Sequence, residues 1–103
     1  MASTTPESKV KTKIKATLKN YGAYYAMPIG SGFGVSGTPD FLCCVNGHFL
    51  AIEAKANGGK TTALQEKSLR SIREAGGIAI VIDENNMKFL VECIEALNKD
   101  GQP

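Results

Sequence analysis

Apolar positions in this chain follow two periods, and the switches between them mark out the elements. Val10, Ile14, Leu18 and Tyr21 recur at helical spacing, which predicts an amphipathic helix from Pro6 to about Asn20. Thr5-Pro6 supplies an N-cap followed by proline at the first helical position, and Gly22 ends the helix. Tyr24 to Ile29 is apolar and aromatic, a first strand. Two further apolar runs, Phe41–Val45 and His48–Ala56, flank Asn46-Gly47. That dipeptide signals a hairpin, because a type I′ turn needs positive φ at both central residues. Thr62-x-x-Gln65 is a capping box opening a helix to about Ala75, stopped by Gly76-Gly77, with Gln65, Leu69 and Ile72 on one face. Ile78–Ile82 is continuously apolar, as expected of a strand covered on both faces. Met87 to Asn98 reads as a last helix with Phe89, Leu90, Cys93, Ile94 and Leu97 as its core stripe. The expected order is αβββαβα, an α/β domain with a mixed sheet flanked by helices. Strand Ile78–Ile82 should lie parallel to the strand before it, through a right-handed crossover.

With 103 residues, 43% hydrophobic and 21% charged, the chain is expected to form one domain over residues 1–103, with polar tails at about 1–5 and 99–103. No apolar run approaches the ~20 residues of a membrane span, and no signal peptide is visible. The expected setting is intracellular and cytoplasmic, with no membrane partner. Three cysteines, an odd number, argue against a disulfide framework. Adjacent Cys43 and Cys44 lack zinc-site spacing, and buried reduced thiols are expected. A net charge of +2 permits a nucleic-acid partner without demanding one. Lys9, Lys11, Lys13, Lys15 and Lys19 crowd one segment, either as a solvated helix face or, with Lys60, as contacts to a phosphate backbone; Lys9, Lys11, Lys13 and Lys60 are the candidates.

The chemistry concentrates around the hairpin. With a two-residue loop, Val45 faces His48, Phe41 faces Ile52 and Asp40 faces Glu53, with Cβ atoms about 4.5–5.5 Å apart. Two carboxylates so placed repel, so a positive charge should sit between them. Lys55 lies two residues beyond Glu53 on the same strand face. A hard divalent cation is the natural complement to carboxylate oxygens. Glu7 interrupts the apolar stripe of the first helix; it either complements the helix dipole or serves the same centre. Gln65 points inward, toward the sheet, where its amide can serve the Thr62 backbone as part of the capping box. His48 abuts the turn, away from the acids, as a surface residue. The glycines of Gly30-Ser-Gly-Phe-Gly34 do not make a dinucleotide fingerprint, since Pro39 and a strand follow them rather than a helix; they read as a connection beside the site.

Gly37-x-Pro-Asp40 before an apolar strand, a short hairpin, Glu53-x-Lys55, and Gln65 opening the next helix together resemble the PD-(D/E)-x-K nuclease superfamily, and within it the VRR-NUC (virus-type replication-repair nuclease) domains. The resemblance spans roughly Glu7 to Asp83. It implies a restriction-endonuclease-like core and hydrolysis of DNA with Mg²⁺ or Mn²⁺. It also implies a metal centre formed by Asp40, Glu53, the Ala54 carbonyl and Glu7, with Lys55 and Gln65 beside it. Stand-alone VRR-NUC domains are homodimers of phage and bacterial origin that prefer four-way junctions. The resemblance therefore implies a second copy and branched DNA as partners, in a bacterial or phage-infected cell. The apolar last helix or the Tyr21–Tyr25 segment is the expected dimer surface.

Two other readings stand beside this one. Ala54 to Thr61, with Gly59-Lys60-Thr61 between a strand and a helix, resembles the end of a P-loop, and Ile78–Asp83 a Walker B strand. Ala54, however, occupies the position of the first glycine, and the chain is short for such a fold; no nucleotide cofactor is expected. The third reading is a nucleic-acid-binding module without catalysis, against which the intact Asp40, Glu53 and Lys55 speak.

Overall fold

The computed structural model describes residues 5–29 and 37–99. The glycine segment 30–34 and most of both tails, 1–4 and 100–103, lie outside the described residues. The elements are α1 (Pro6–Asn20), β1 (Tyr24–Ala26), β2 (Phe41–Val45), β3 (His48–Ala54), α2 (Ala63–Glu74), β4 (Ile78–Ile82) and α3 (Met87–Lys99). They build a four-stranded sheet in the order β1-β2-β3-β4. The first three strands pair antiparallel, and β3 with β4 runs parallel.

Local chemistry sets the boundaries. Thr5 accepts from the Ser8 N–H at 3.0 Å while the Ser8 hydroxyl serves Thr5 in return, a capping box with serine in the third position. Asn46 and Gly47 take φ of 50° and 83°, the turn that lets Val45 pair with His48 and Phe41 with Ile52. Strand β1 stops at Ala26, short of the expected Ile29. Pro28 has no N–H for the ladder, and its ring restricts Met27 before it. Strand β3 leaves the sheet after Ala54 rather than Ala56; the Lys55 N–H makes a last bond to Ile82 at 2.9 Å. Asn57 and Gly58 then turn the chain with φ of 54° and 73°.

The alternation of the strands divides the interior in two. Val10, Ile14 and Leu18 of α1 pack with Phe41, Cys43, Val45, Leu50, Ile52, Ala54, Ile80 and Ile82, and with Leu90, Ile94 and Leu97 of α3. Leu69 of α2 packs on Ala51 and Ala79, flanked by Leu42, Ile72 and Val81. The sheet is therefore covered by α1 and α3 on one face and by α2 on the other. Phe89, expected in the core stripe of α3, is instead 48% exposed. The buried line runs Leu90, Ile94, Leu97, and Phe89 stands one residue, about 100°, off it. Tyr21 ties α1 to α3 by donating its hydroxyl to Glu95 Oε2 at 2.6 Å, which raises the phenol's pKa.

The free edge of β4 is closed by side chains. Ile82 O faces β3, so by strand alternation Ala79 O and Val81 O face outward. Arg73 donates to Ala79 O at 2.7 and 3.1 Å, and Asn86 Nδ2 to Val81 O at 2.9 Å. Such caps remove the unpaired acceptors that make an edge a template for other chains. No helix among the described residues is long and apolar enough to cross a membrane.

Candidate active site

Strand β2 begins and β3 ends at the same end of the sheet, beside the first turns of α1 and α2. Gly37, with φ of 91°, lies so close to α2 that a Cβ there would stand 2.5 Å from Leu64 C and O. This contact and buried Pro39 aim Asp40 across β3. Asp40 Oδ2 accepts from the Ala54 N–H at 2.9 Å, which fixes the carboxylate opposite Glu53 as the hairpin register requires. In an extended strand the N–H and C=O of one residue point the same way, so the Ala54 carbonyl also projects to the Asp40 side.

Glu53 is 3% exposed, the one charged side chain among the buried described residues. Gln65 Nε2 donates to Glu53 Oε2 at 3.0 Å, while Gln65 Oε1 accepts from the Thr62 N–H at 2.9 Å. Gln65 thus caps its own helix with one end of its amide and holds Glu53 with the other. Lys55 Nζ stands 3.7 Å from Glu53 Oε2. Lys11 Nζ, on α1, lies 3.4 Å from Asp40 Oδ1 and 3.6 Å from Glu7 Oε2. Three carboxylates therefore share two ammonium groups. Both helix N-termini at the site add partial positive charge.

That imbalance falls on Glu53. Burial pushes its carboxyl up to about 7, helped by the charge of Asp40, by hydrogen bonding with Asp40 and by the charge of Glu7, and opposed by Lys55. Since the folded value lies above the ordinary 4.5, the protonated form favours the fold; this contribution is complete below about pH 4.5 and lost as the pH rises through about 7. Without divalent cations, the melting temperature should fall between about pH 5 and pH 7.5, and Glu53→Gln should flatten that slope. A wild-type slope unchanged by the substitution would dissociate Glu53 from the effect.

The structure thus brings together Glu7, Asp40, Glu53, Lys55, Gln65 and the Ala54 carbonyl. It adds Lys11, which the sequence placed among nucleic-acid contacts; the signal was its spacing four residues after Glu7. Lys9, Lys13 and Lys60 are exposed. His48 pairs with Val45 at the far end of the hairpin, half-buried rather than on the surface. Cys43 faces the core, its thiol pushed up to about 12 by burial.

Among the described residues no three His, Cys, Asp or Glu side chains are grouped to hold a metal ion. Mg²⁺ keeps several waters and needs only one or two carboxylates, the rest coming from substrate phosphate. Asp40, Glu53 and the Ala54 carbonyl offer hard oxygen donors with neither thiolate nor imidazole among them, so the residues fit Mg²⁺ or Mn²⁺. At the P-loop-like turn, by contrast, the Asn57 N–H donates to both Glu84 oxygens at 3.1 and 3.2 Å. A carboxylate therefore stands on a backbone N–H that a phosphate cradle would use. Compared with known proteins, the chain matches no family model and no curated protein.

Proposed function

We propose that this chain is a divalent-metal-dependent DNA endonuclease with a restriction-endonuclease-like core of the VRR-NUC kind. The observation that carries the reading is the opposed Asp40–Glu53 pair with Lys55 beside it, in a cluster one positive charge short of balance. Asp40, Glu53 and the Ala54 carbonyl would hold the cation, with Glu7 joining through water. A cation bound there supplies an activated water and neutralises charge at the scissile phosphate. Gln65 holds Glu53 in position through its amide. Lys55 orients the attacking water and stabilises charge on the phosphorane-like transition state. Lys9, Lys13 and Lys60 contact the DNA backbone, which positions the duplex without reading sequence.

A two-fold dimer would present matched sites to the two strands that a junction resolvase must cut, and branched DNA is the proposed substrate. The test is a panel of labelled four-way junction, linear duplex and single-stranded DNA, incubated with Mg²⁺ or Mn²⁺ and with excess chelator. Cleavage is expected with either metal, strongest on the junction, and none with chelator. Undiminished cleavage in chelator would remove the metal mechanism. DNA binding without scission under every metal condition would favour a non-catalytic module.

A further inference from the structure

We infer that Lys11 is a built-in competitor of the divalent cation: its ammonium holds the ground between Glu7 and Asp40, and cation entry displaces it. The inference rests on the metal reading above and adds a role for a residue that reading does not use. Asp40 has two carboxylate oxygens, and Oδ2 is committed to the Ala54 N–H at 2.9 Å. Oδ1 is the oxygen left for a cation, and Lys11 Nζ stands 3.4 Å from it. The same ammonium is 3.6 Å from Glu7 Oε2, on the second acid offered to a cation. Two cations cannot share Oδ1 without strong repulsion.

The hold is loose. Both separations exceed the about 2.7–2.9 Å of a tight charge-assisted hydrogen bond. The Lys11 side chain is 31% exposed, against 14% for Lys55. A flexible four-carbon stem can carry the hydrated ammonium into solvent without disturbing α1. Lys55 instead pairs with Glu53 Oε2, the oxygen already committed to the Gln65 amide. Lys11 thus keeps the acids compensated in the metal-free protein, at the expense of metal affinity.

The test is calorimetric titration with Mn²⁺ and thermal melting of the metal-free protein, neither of which depends on cleavage. Lys11→Met and Lys11→Gln, which drop the charge, should bind Mn²⁺ about tenfold more tightly than wild type, within the range set by unit charges about 4 Å apart near a protein surface. Both should melt at lower temperature without metal. Lys11→Arg should keep the wild-type affinity. Lys19→Met removes the same charge about 12 Å further along α1 and should leave Mn²⁺ binding unchanged. Unchanged or weaker Mn²⁺ binding by both neutral variants, with wild type binding normally, would overturn the inference and leave the metal reading standing. Absence of Mn²⁺ binding by wild type and every variant would overturn both.

Discussion

Asp40→Asn and Glu53→Gln should each reduce metal-dependent cleavage at least about a hundredfold while leaving the fold in place. Each substitution removes a negative oxygen from the cation's coordination and keeps the shape of the side chain. The hydrogen bonds to these side chains survive it. An amide oxygen at position 40 can still accept from the Ala54 N–H, and one at position 53 can still accept from Gln65 Nε2. The two carboxylates repel, and Glu53 is desolvated as well, so the metal-free protein should lose no stability in Glu53→Gln near neutral pH and should gain some. Cleavage time courses and melting curves on the same preparations check both halves. A large drop in melting temperature with retained cleavage would make these acids structural.

Gly37→Ala should be the most damaging alanine substitution at any described glycine. The new Cβ would meet the backbone of α2, 2.5 Å from Leu64 C and O and 2.8 Å from Gln65 N, and backbone cannot rotate aside as a flexible side chain can. The φ of 91° adds a conformation that side chains disfavour. Together these cost about 3 kcal/mol, or roughly 10–20 °C in melting temperature for a domain of this size. Relief by moving the chain would shift Asp40, three residues on, and Gln65, which holds Glu53, so cleavage should fall with stability. Gly22→Ala is the control. Gly22 has φ of 70° but nothing within 4 Å of the added atom, so it should cost only about 1 kcal/mol. Equal effects of the two substitutions, measured by chemical denaturation, would show that conformation rather than contact dominates at Gly37.

The parts legible in the sequence are those that local chemistry determines. Asn46-Gly47 sets the turn, the turn sets the register, and the register puts Asp40 opposite Glu53 before any tertiary contact is known. Thr62 and Gln65 announce the start of α2, and Gln65 then meets Glu53 because the end of β3 lies beneath it. What was not legible depends on contacts between distant segments. Lys11 reads as one lysine of a basic helix face; its approach to Asp40 exists only once α1 has packed across the sheet. The fit of Gly37 against α2 is likewise invisible in a stretch already rich in glycine. Phe89 shows the opposite failure, a hydrophobic residue at a plausible helical position that the packing of α3 turns outward.

The central claim is that Asp40 and Glu53 form a divalent-cation centre. Crystals of the protein soaked in Mn²⁺ test it most directly, with an anomalous difference map collected above the manganese edge. The predicted result is a single strong peak at the end of the sheet, in contact with the carboxylates of Asp40 and Glu53 and the carbonyl of Ala54, and absent in Asp40→Asn. A map with no peak there, or with manganese bound elsewhere and unaffected by Asp40→Asn, would contradict the account.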